Sequence, residues 1–258
     1  MKGTSINFKK KSVGATENLI MAATLAEGQT IIYNAAQEPE IIDLCNFLIQ
    51  IGATIKGHGT EVITIDGVKK LNGGEFEVMP DRIEAGTFAL SVLGCSGKLI
   101  LSGVNTEIYK HLKNILRPIS LLKLKKIDNK SFSIEKVKNS CLNLKITTKE
   151  YPGFPTDLQA QLTSALLKIQ GLNEINEKIF ENRFMHISEL RRMGAKIQKK
   201  GSKVEIRGVK EIYGAELMAT DLRASSCLII AGLMAKGKTI INRAVSYTHL
   251  TLPTNGLG

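Results

Sequence analysis

YPGFPTDLQAQLTSALLKIQGLNEI, residues 151–175, opens on two prolines, a glycine and two aromatics. It then turns into an apolar helical run, a glycine and a short β-rich stretch. A residue before proline is driven out of the helical region, so Tyr151 and Phe154 should be extended. Thr156 or Asp157 then stands where a side-chain oxygen can cap the helix, and an acid there also gains from the positive end of the dipole. Gly171 suits the left-handed residue that ends a helix.

The same grammar occurs in SVGATENLIMAATLAEGQTII (12–32), RIEAGTFALSVLGCSGKLIL (82–101) and ATDLRASSCLIIAGLMAKGKTII (219–241). The terminating glycines, Gly28, Gly97, Gly171 and Gly237, lie about 70 residues apart, the spacing of a supersecondary repeat. Between them PEIIDLCNFLIQIGATIKGHGTEVITIDGV (39–68) and FMHISELRRMGAKIQKKGSKVEIRGV (184–209) each read as a helix followed by a hairpin, closing on Gly67-Val68 and Gly208-Val209. Each unit is therefore βαβαββ, with parallel pairs from the crossovers and an antiparallel hairpin at the end. Such units should bury their helices against one another and leave the sheets outside. The second unit (105–137) is degenerate, with Pro118 interrupting its second helix, and the fourth stops after its first strand near Ile241.

Composition fixes the class. The 258 residues are 43% hydrophobic and 23% charged, which is globular rather than disordered. No apolar run reaches about 18 residues, so no membrane span is expected. The start, MKGTSINFKKK, lacks the apolar segment of a secretory signal, and a cytoplasmic location follows as the expectation. Cys45, Cys95, Cys141 and Cys227 show no metal-ligand spacing and read as small buried thiols of a reducing compartment. Neither a metal nor a cofactor is implied. The net charge of +11 points to anionic partners. Only eight of the 35 basic residues are arginine, aromatics are 5%, and no nucleic-acid-binding signature occurs, so small anions are favoured over nucleic acid.

The last residues differ in kind. AVSYTHLTLPTNGLG (244–258) carries no acid or base and continues no repeat, and VSYTHLTLPT (245–254) reads like a translated sequencing adapter. The native frame is expected to end near Arg243, so Tyr247 and His249 are given no role.

SVGAT (12–16), AAQEPEIIDLCNFL (35–48), MPDRIEAGTF (79–88), FPTDLQAQ (154–161), FENRFMHISELRRMGA (180–195) and MATDLRAS (218–225) resemble the enolpyruvyl transferases that act on UDP-N-acetylglucosamine, the UDP-N-acetylglucosamine 1-carboxyvinyltransferases. The resemblance implies an inside-out α/β barrel of repeated βαβαββ units, here three plus part of a fourth. It also implies transfer of the enolpyruvyl group of phosphoenolpyruvate to the 3-hydroxyl of UDP-N-acetylglucosamine, opening peptidoglycan synthesis. Residues 1–79 would be the last unit of one domain and 80–243 most of the other, with 244–258 outside both. Two earlier units, with the lysine, arginines and cysteine loop that handle phosphoenolpyruvate, would lie outside these residues, so the chain alone is expected not to turn over. The resemblance implies nothing about oligomeric state.

That chemistry needs an acceptor for a hydroxyl proton, an acid for a methylene carbon, and cations for a carboxylate and a phosphate. Asp157 is the expected base or hydroxyl-positioning group, a weak base if a helix N-terminus keeps it ionised. Asp221 is the second carboxylate, although capping its own helix is the plainer role. Arg183 and Arg223 are forked donors suited to a carboxylate, with an interdomain salt bridge the plainer role for Arg183. His186 reads as a packing residue. By resemblance Lys10, Lys11, Ser12, Val13 and Gly14 meet the UDP end, where lysines and a helix start suit phosphate. Ile179 matches a position whose backbone meets the sugar. Three alternatives stand beside this: a shikimate-pathway enolpyruvyl transferase, a terminal-RNA phosphate cyclase that would need a nucleotidylated histidine, and a UDP-sugar-binding remnant without catalysis.

Overall fold

The structure is a computed structural model that describes residues 1–137 and 141–244. The tail singled out above therefore lies outside the described residues except for Ala244. The chain forms two compact units, Met1–Met79 with Glu150–Pro152, and Pro80–Lys149 with the residues from Gly153 onward.

The first unit runs β1 (Ser5–Asn7), α1 (Val13–Ala23), β2 (Gln29–Tyr33), α2 (Pro39–Gln50), β3 (Thr54–Lys56) and β4 (Val62–Asp66). Its sheet has the order β1-β2-β4-β3, with β1 and β2 parallel and the other pairs antiparallel. One face of each strand and one stripe of each helix meet in a core of Ile20, Ile32, Ile41, Cys45, Ile63 and Ile65, all fully buried. Each such aliphatic side chain contributes about 1.5–3 kcal/mol on leaving water.

The second unit begins with α3 (Arg82–Cys95), β5 (Lys98–Ser102), α4 (Thr106–Ile115), β6 (Leu122–Lys126) and β7 (Ser131–Lys136). The sheet order β5-β7-β6 repeats the β2-β4-β3 part of the first unit, without a leading strand among the described residues. Helix α4 is capped by Asn105 and ends before Pro118, as its ring requires. Next come β8 (Lys145–Thr147), a 3₁₀ turn (Thr156–Leu158), α5 (Gln159–Ala165), β9 (Leu172–Asn176), α6 (His186–Arg192), β10 (Lys196–Lys200) and β11 (Lys203–Arg207). Their sheet order, β10-β11-β9-β8, is that of the first unit read backwards. The last elements are β12 (Glu216–Met218), α7 (Leu222–Met234) and β13 (Ile240–Asn242), with β12 and β13 parallel. The fourth repeat thus retains both strands of its first crossover.

Helices α3, α5 and α7 pack on one another at the centre. Every residue of α5 is buried, so its polar side chains depend on partners inside, although Gln161 Oε1 has none among the described residues. Gln159 Nε2 donates to Thr163 Oγ1 at 3.0 Å, and Gln161 Nε2 to Thr87 Oγ1 of α3 at 3.1 Å.

The repeat is closed identically in two places. Gly67 and Val68 donate to the Gly28 and Thr24 carbonyls, and Gly208 and Val209 donate to those of Gly171 and Leu167. A Cβ on Gly67 would stand 1.6 Å from the Ala26 carbonyl oxygen, and one on Gly208 1.9 Å from that of Ile169. Only glycine lets the outgoing strand pass the helix end.

Two sequence expectations need correction. Neither Thr156 nor Asp157 caps α5: both lie in a 3₁₀ turn that begins after Pro155, and the capping position of α5 itself is Leu158, which has no side-chain hydrogen bond to give. The cysteines are not all buried. Cys45 and Cys227 are, while Cys95 and Cys141 are exposed, because one ends α3 and the other sits in an isolated bridge to Gln170.

Candidate active site

Four N-cap positions, Ser12, Asp81, Pro155 and Asp221, each precede their terminating glycine by sixteen residues. The repeat is therefore in register through all four helix starts. Asp157 and Arg223 both stand two residues past the cap, at the same place in the third and fourth repeats, where the first has Gly14 and the second Ile83. Neighbouring helix starts thus present an acid and a base of matching reach.

The structure joins them. Arg223 Nε donates to Asp157 Oδ1 at 2.6 Å, and its Nη2 approaches the same oxygen. Arg183, from the loop between β9 and α6, donates through Nη1 to Asp157 Oδ1 at 2.9 Å and to Thr156 Oγ1 at 3.2 Å. Its guanidinium carbon lies 3.8 Å from the Phe180 ring centroid, a stacking that fixes the plane of the fork. Arg183 therefore makes its salt bridge within the second unit. Burial pushes the Asp157 carboxyl up, but the Arg223 charge and the hydrogen bonds from Arg223 and Arg183 outweigh it and hold the group below the usual carboxylate range. Oδ1 takes all of these bonds, and Oδ2 accepts from none of the described residues.

Asp157 and Arg223 lie on a cavity of about 600 Å³ between α3, α5 and α7, which Glu84, Phe88, Gln161 and Leu233 also line. Asp221 performs the plainer of its two expected roles. Its Oδ1 accepts from the Arg223 and Ala224 amides at 2.9 and 3.1 Å, and Thr220 Oγ1 donates to Oδ2 at 3.1 Å. It also lines a second hollow of about 460 Å³ with Met185, Met218, Thr220, Ser225 and Arg243. His186 is buried, and its Nε2 has no hydrogen-bond partner among the described residues. Burial drives its pKa down to about 4, against a smaller upward pull from Asp221, so it is neutral at physiological pH, as a packing residue should be.

A carboxylate that sequence reasoning passed over underlies the site. Glu177 follows β9 and is 2% exposed. Its Oε1 accepts from Thr148 Oγ1 at 2.9 Å and from the Ile179 and Phe180 amides at 2.8 and 3.1 Å, while Oε2 accepts from Thr156 Oγ1 at 2.8 Å. The repeat offered a signal: in register, Glu177 corresponds to Asn34, whose Nδ2 likewise reaches back to the end of the first strand, at the Phe8 carbonyl. At Ile179, whose backbone the resemblance assigns to the sugar, the amide donates to Glu177 Oε1.

In the first unit, Lys10, Lys11, Ser12, Val13 and Gly14 lead into α1. Ser12 is the N-cap, its Oγ accepting from the Ala15 amide at 3.3 Å. Lys11 Nζ pairs with Glu61 Oε1 at 2.7 Å, a bond to an exposed partner that a stronger anion could replace at small cost. Gly14 has open space where a Cβ would be.

Known proteins resemble this chain along its length. Residues 1–254 match the family described as EPSP synthase (3-phosphoshikimate 1-carboxyvinyltransferase). The UDP-N-acetylglucosamine 1-carboxyvinyltransferase of Nitratidesulfovibrio vulgaris (strain DP4) is 46% identical over 263 residues, covering 100% of this chain and 62% of that protein. Proteins of the same name from Lawsonia intracellularis and Pelagibacter ubique are 49% and 50% identical, covering 94% and 93% of this chain and 58% and 57% of theirs. The chain thus spans roughly three fifths of the length of the curated relatives it matches. Among solved structures, the enolpyruvyl transferase NikO from Streptomyces tendae superposes with a TM-score of 0.82 at 20% identity, over 95% of this chain and 61% of that one. EPSP synthase from Acinetobacter baumannii gives 0.66 at 19%, over 95% and 59%. These likenesses carry the fold, an inside-out α/β barrel of repeated units. The chain belongs to the EPSP synthase (3-phosphoshikimate 1-carboxyvinyltransferase) family.

Proposed function

We propose that this chain carries the acceptor-hydroxyl and anion-binding part of an enolpyruvyl transferase that acts on UDP-N-acetylglucosamine in peptidoglycan synthesis, in the cytoplasm. The observation that carries the reading is Asp157 gripped through one oxygen by Arg223 and Arg183, with its other oxygen accepting from none of the described residues. The names of relatives at 46–50% identity support the choice of acceptor.

In the transfer, the acceptor oxygen attacks C2 of phosphoenolpyruvate while C3 takes up a proton from a general acid, a role given to none of the residues placed here. The tetrahedral adduct then expels inorganic phosphate and returns a proton from C3, which restores the double bond. Asp157 Oδ2 accepts a hydrogen bond from the attacking hydroxyl and so aims its lone pair. Because its pKa is held low, it takes that proton only as the C–O bond forms and the hydroxyl becomes acidic. Arg183 and Arg223 supply forked positive charge beside the reacting atoms, where a carboxylate and a phosphate must be held. Asp221 keeps the α7 start, and with it Arg223, in place. Lys10, Lys11, Ser12, Val13 and Gly14 offer amides and ammonium groups of the kind that receive a diphosphate. Ile179 offers its backbone carbonyl to the sugar, its amide being held by Glu177.

Calorimetric titration of the chain tests the acceptor. UDP-N-acetylglucosamine should bind and shikimate 3-phosphate should not, and Asp157→Asn should weaken the UDP-sugar. Preference for shikimate 3-phosphate would move the protein to the other branch of the family. The chain by itself should release no phosphate from phosphoenolpyruvate, since it spans roughly three fifths of its relatives.

A further inference from the structure

We infer that Glu177 is the positioning residue of this site, acting on Asp157 through the Thr156 hydroxyl and the Arg183 guanidinium. Four groups stand in successive hydrogen-bond contact: Glu177 Oε2, Thr156 Oγ1, Arg183 Nη1 and Asp157 Oδ1, at 2.8, 3.2 and 2.9 Å. A hydroxyl has one proton and two lone pairs. The Glu177 carboxylate is acceptor-only, so the Thr156 proton points at it. A lone pair is thereby left facing Arg183, which can only donate. Reversing that hydroxyl would set two donors against each other.

Glu177 also fixes where Arg183 begins. Its other oxygen binds the Ile179 and Phe180 amides and so turns the chain just after β9. That turn presents the Phe180 ring on which Arg183 stacks. Thr148 joins the arrangement from just past β8, donating to Glu177 Oε1 while accepting from the Lys178 amide at 2.9 Å. A carboxylate 2% exposed and bound by four donors has no solvent role. Nothing in the proposed reaction touches it. Its geometry serves Arg183 and, through Arg183, Asp157. The inference deepens the reading of Asp157 as hydroxyl acceptor and rests on it for function, but its physical content is separable.

The test follows the Asp157 carboxyl by carbon NMR through a pH titration in the chain and in Thr156→Ser, Thr156→Val and Glu177→Gln. Melting by circular dichroism is recorded for each. Thr156→Ser retains the hydroxyl and should titrate like the parent. Thr156→Val and Glu177→Gln should raise the Asp157 midpoint toward the ordinary carboxylate range with the fold retained. Folded Thr156→Val with an unmoved midpoint overturns the inference, whatever Glu177→Gln does to folding. Calorimetry with UDP-N-acetylglucosamine on the same samples separates the two readings. Absence of binding by the parent would sink the proposed function, while the titration would still decide the role of Glu177.

Discussion

Asp157→Asn keeps the side-chain shape and removes the negative charge between two guanidinium groups. Hydrogen bonds to charged groups contribute about 1.5–3 kcal/mol, and exposed ion pairs about 0–1 kcal/mol. The side chains here are 36% exposed for Asp157, 20% for Arg183 and 33% for Arg223, which sets the site between those limits. Solvent screening discounts the upper figure, so the variant should lose about 2 kcal/mol at pH 7. The loss also depends on pH. Asp157 titrates lower folded than unfolded, so its contribution is whole above the unfolded value of about 3.9 and disappears as pH falls through the folded one. Asparagine does not titrate. Urea melts followed by circular dichroism at pH 7, 5 and 3.5 should show a gap between parent and variant that holds between 7 and 5 and narrows at 3.5. Equal stability at pH 7, or a gap indifferent to pH, would refute the assignment of the pair as a net stabilising contact.

The remaining expectations test other links. Gly67→Ala and Gly208→Ala place a Cβ 1.6 and 1.9 Å from a backbone oxygen and should each destabilise by more than about 3 kcal/mol, since backbone cannot step aside as a side chain can. Gly14→Ala, with open space inside α1, should instead gain up to about 1 kcal/mol; thermal melts of the three variants decide this. Ellman's reagent should modify Cys95 and Cys141 in the native chain and Cys45 and Cys227 only on unfolding, because the latter pair is buried; burial raises the Cys45 thiol to about 12 and also raises that of Cys95, whose reaction should therefore be slow at neutral pH. His111 and His186 are held neutral, mainly by burial, down to about pH 4. Unfolded, they take up protons near 6.5, so stability should fall as pH drops from about 6.5 to 4, and proton NMR should find both rings unprotonated at pH 5.

The repeat was legible because it is written in residues whose backbone demands are strict. A glycine ends each inner helix, Gly67 and Gly208 let the chain pass a carbonyl, and apolar spacing of 3.6 or 2 marks each core face. The start of α5 misled because a cap was expected where a 3₁₀ turn intervenes after Pro155. Asp157, Arg183 and Arg223 could be singled out as charged residues at tight turns, but their contact is tertiary, across 26 and 66 residues of sequence. Glu177 was hidden for the opposite reason. Charged residues after a strand are ordinarily solvated, and only the folded chain shows four donors converging on this one. Asp221 could be nominated from sequence for two roles, and the helix-capping one is seen in its bonds to the Arg223 and Ala224 amides.

The most direct test of the account is to add UDP-N-acetylglucosamine to the chain while watching the Asp157 carboxyl resonance, with shikimate 3-phosphate as the comparison. The account predicts a saturable shift of that resonance by the UDP-sugar alone, at the concentrations where calorimetry reports binding. Binding of the UDP-sugar that leaves Asp157 unmoved, or a shift produced by shikimate 3-phosphate in its place, would contradict it.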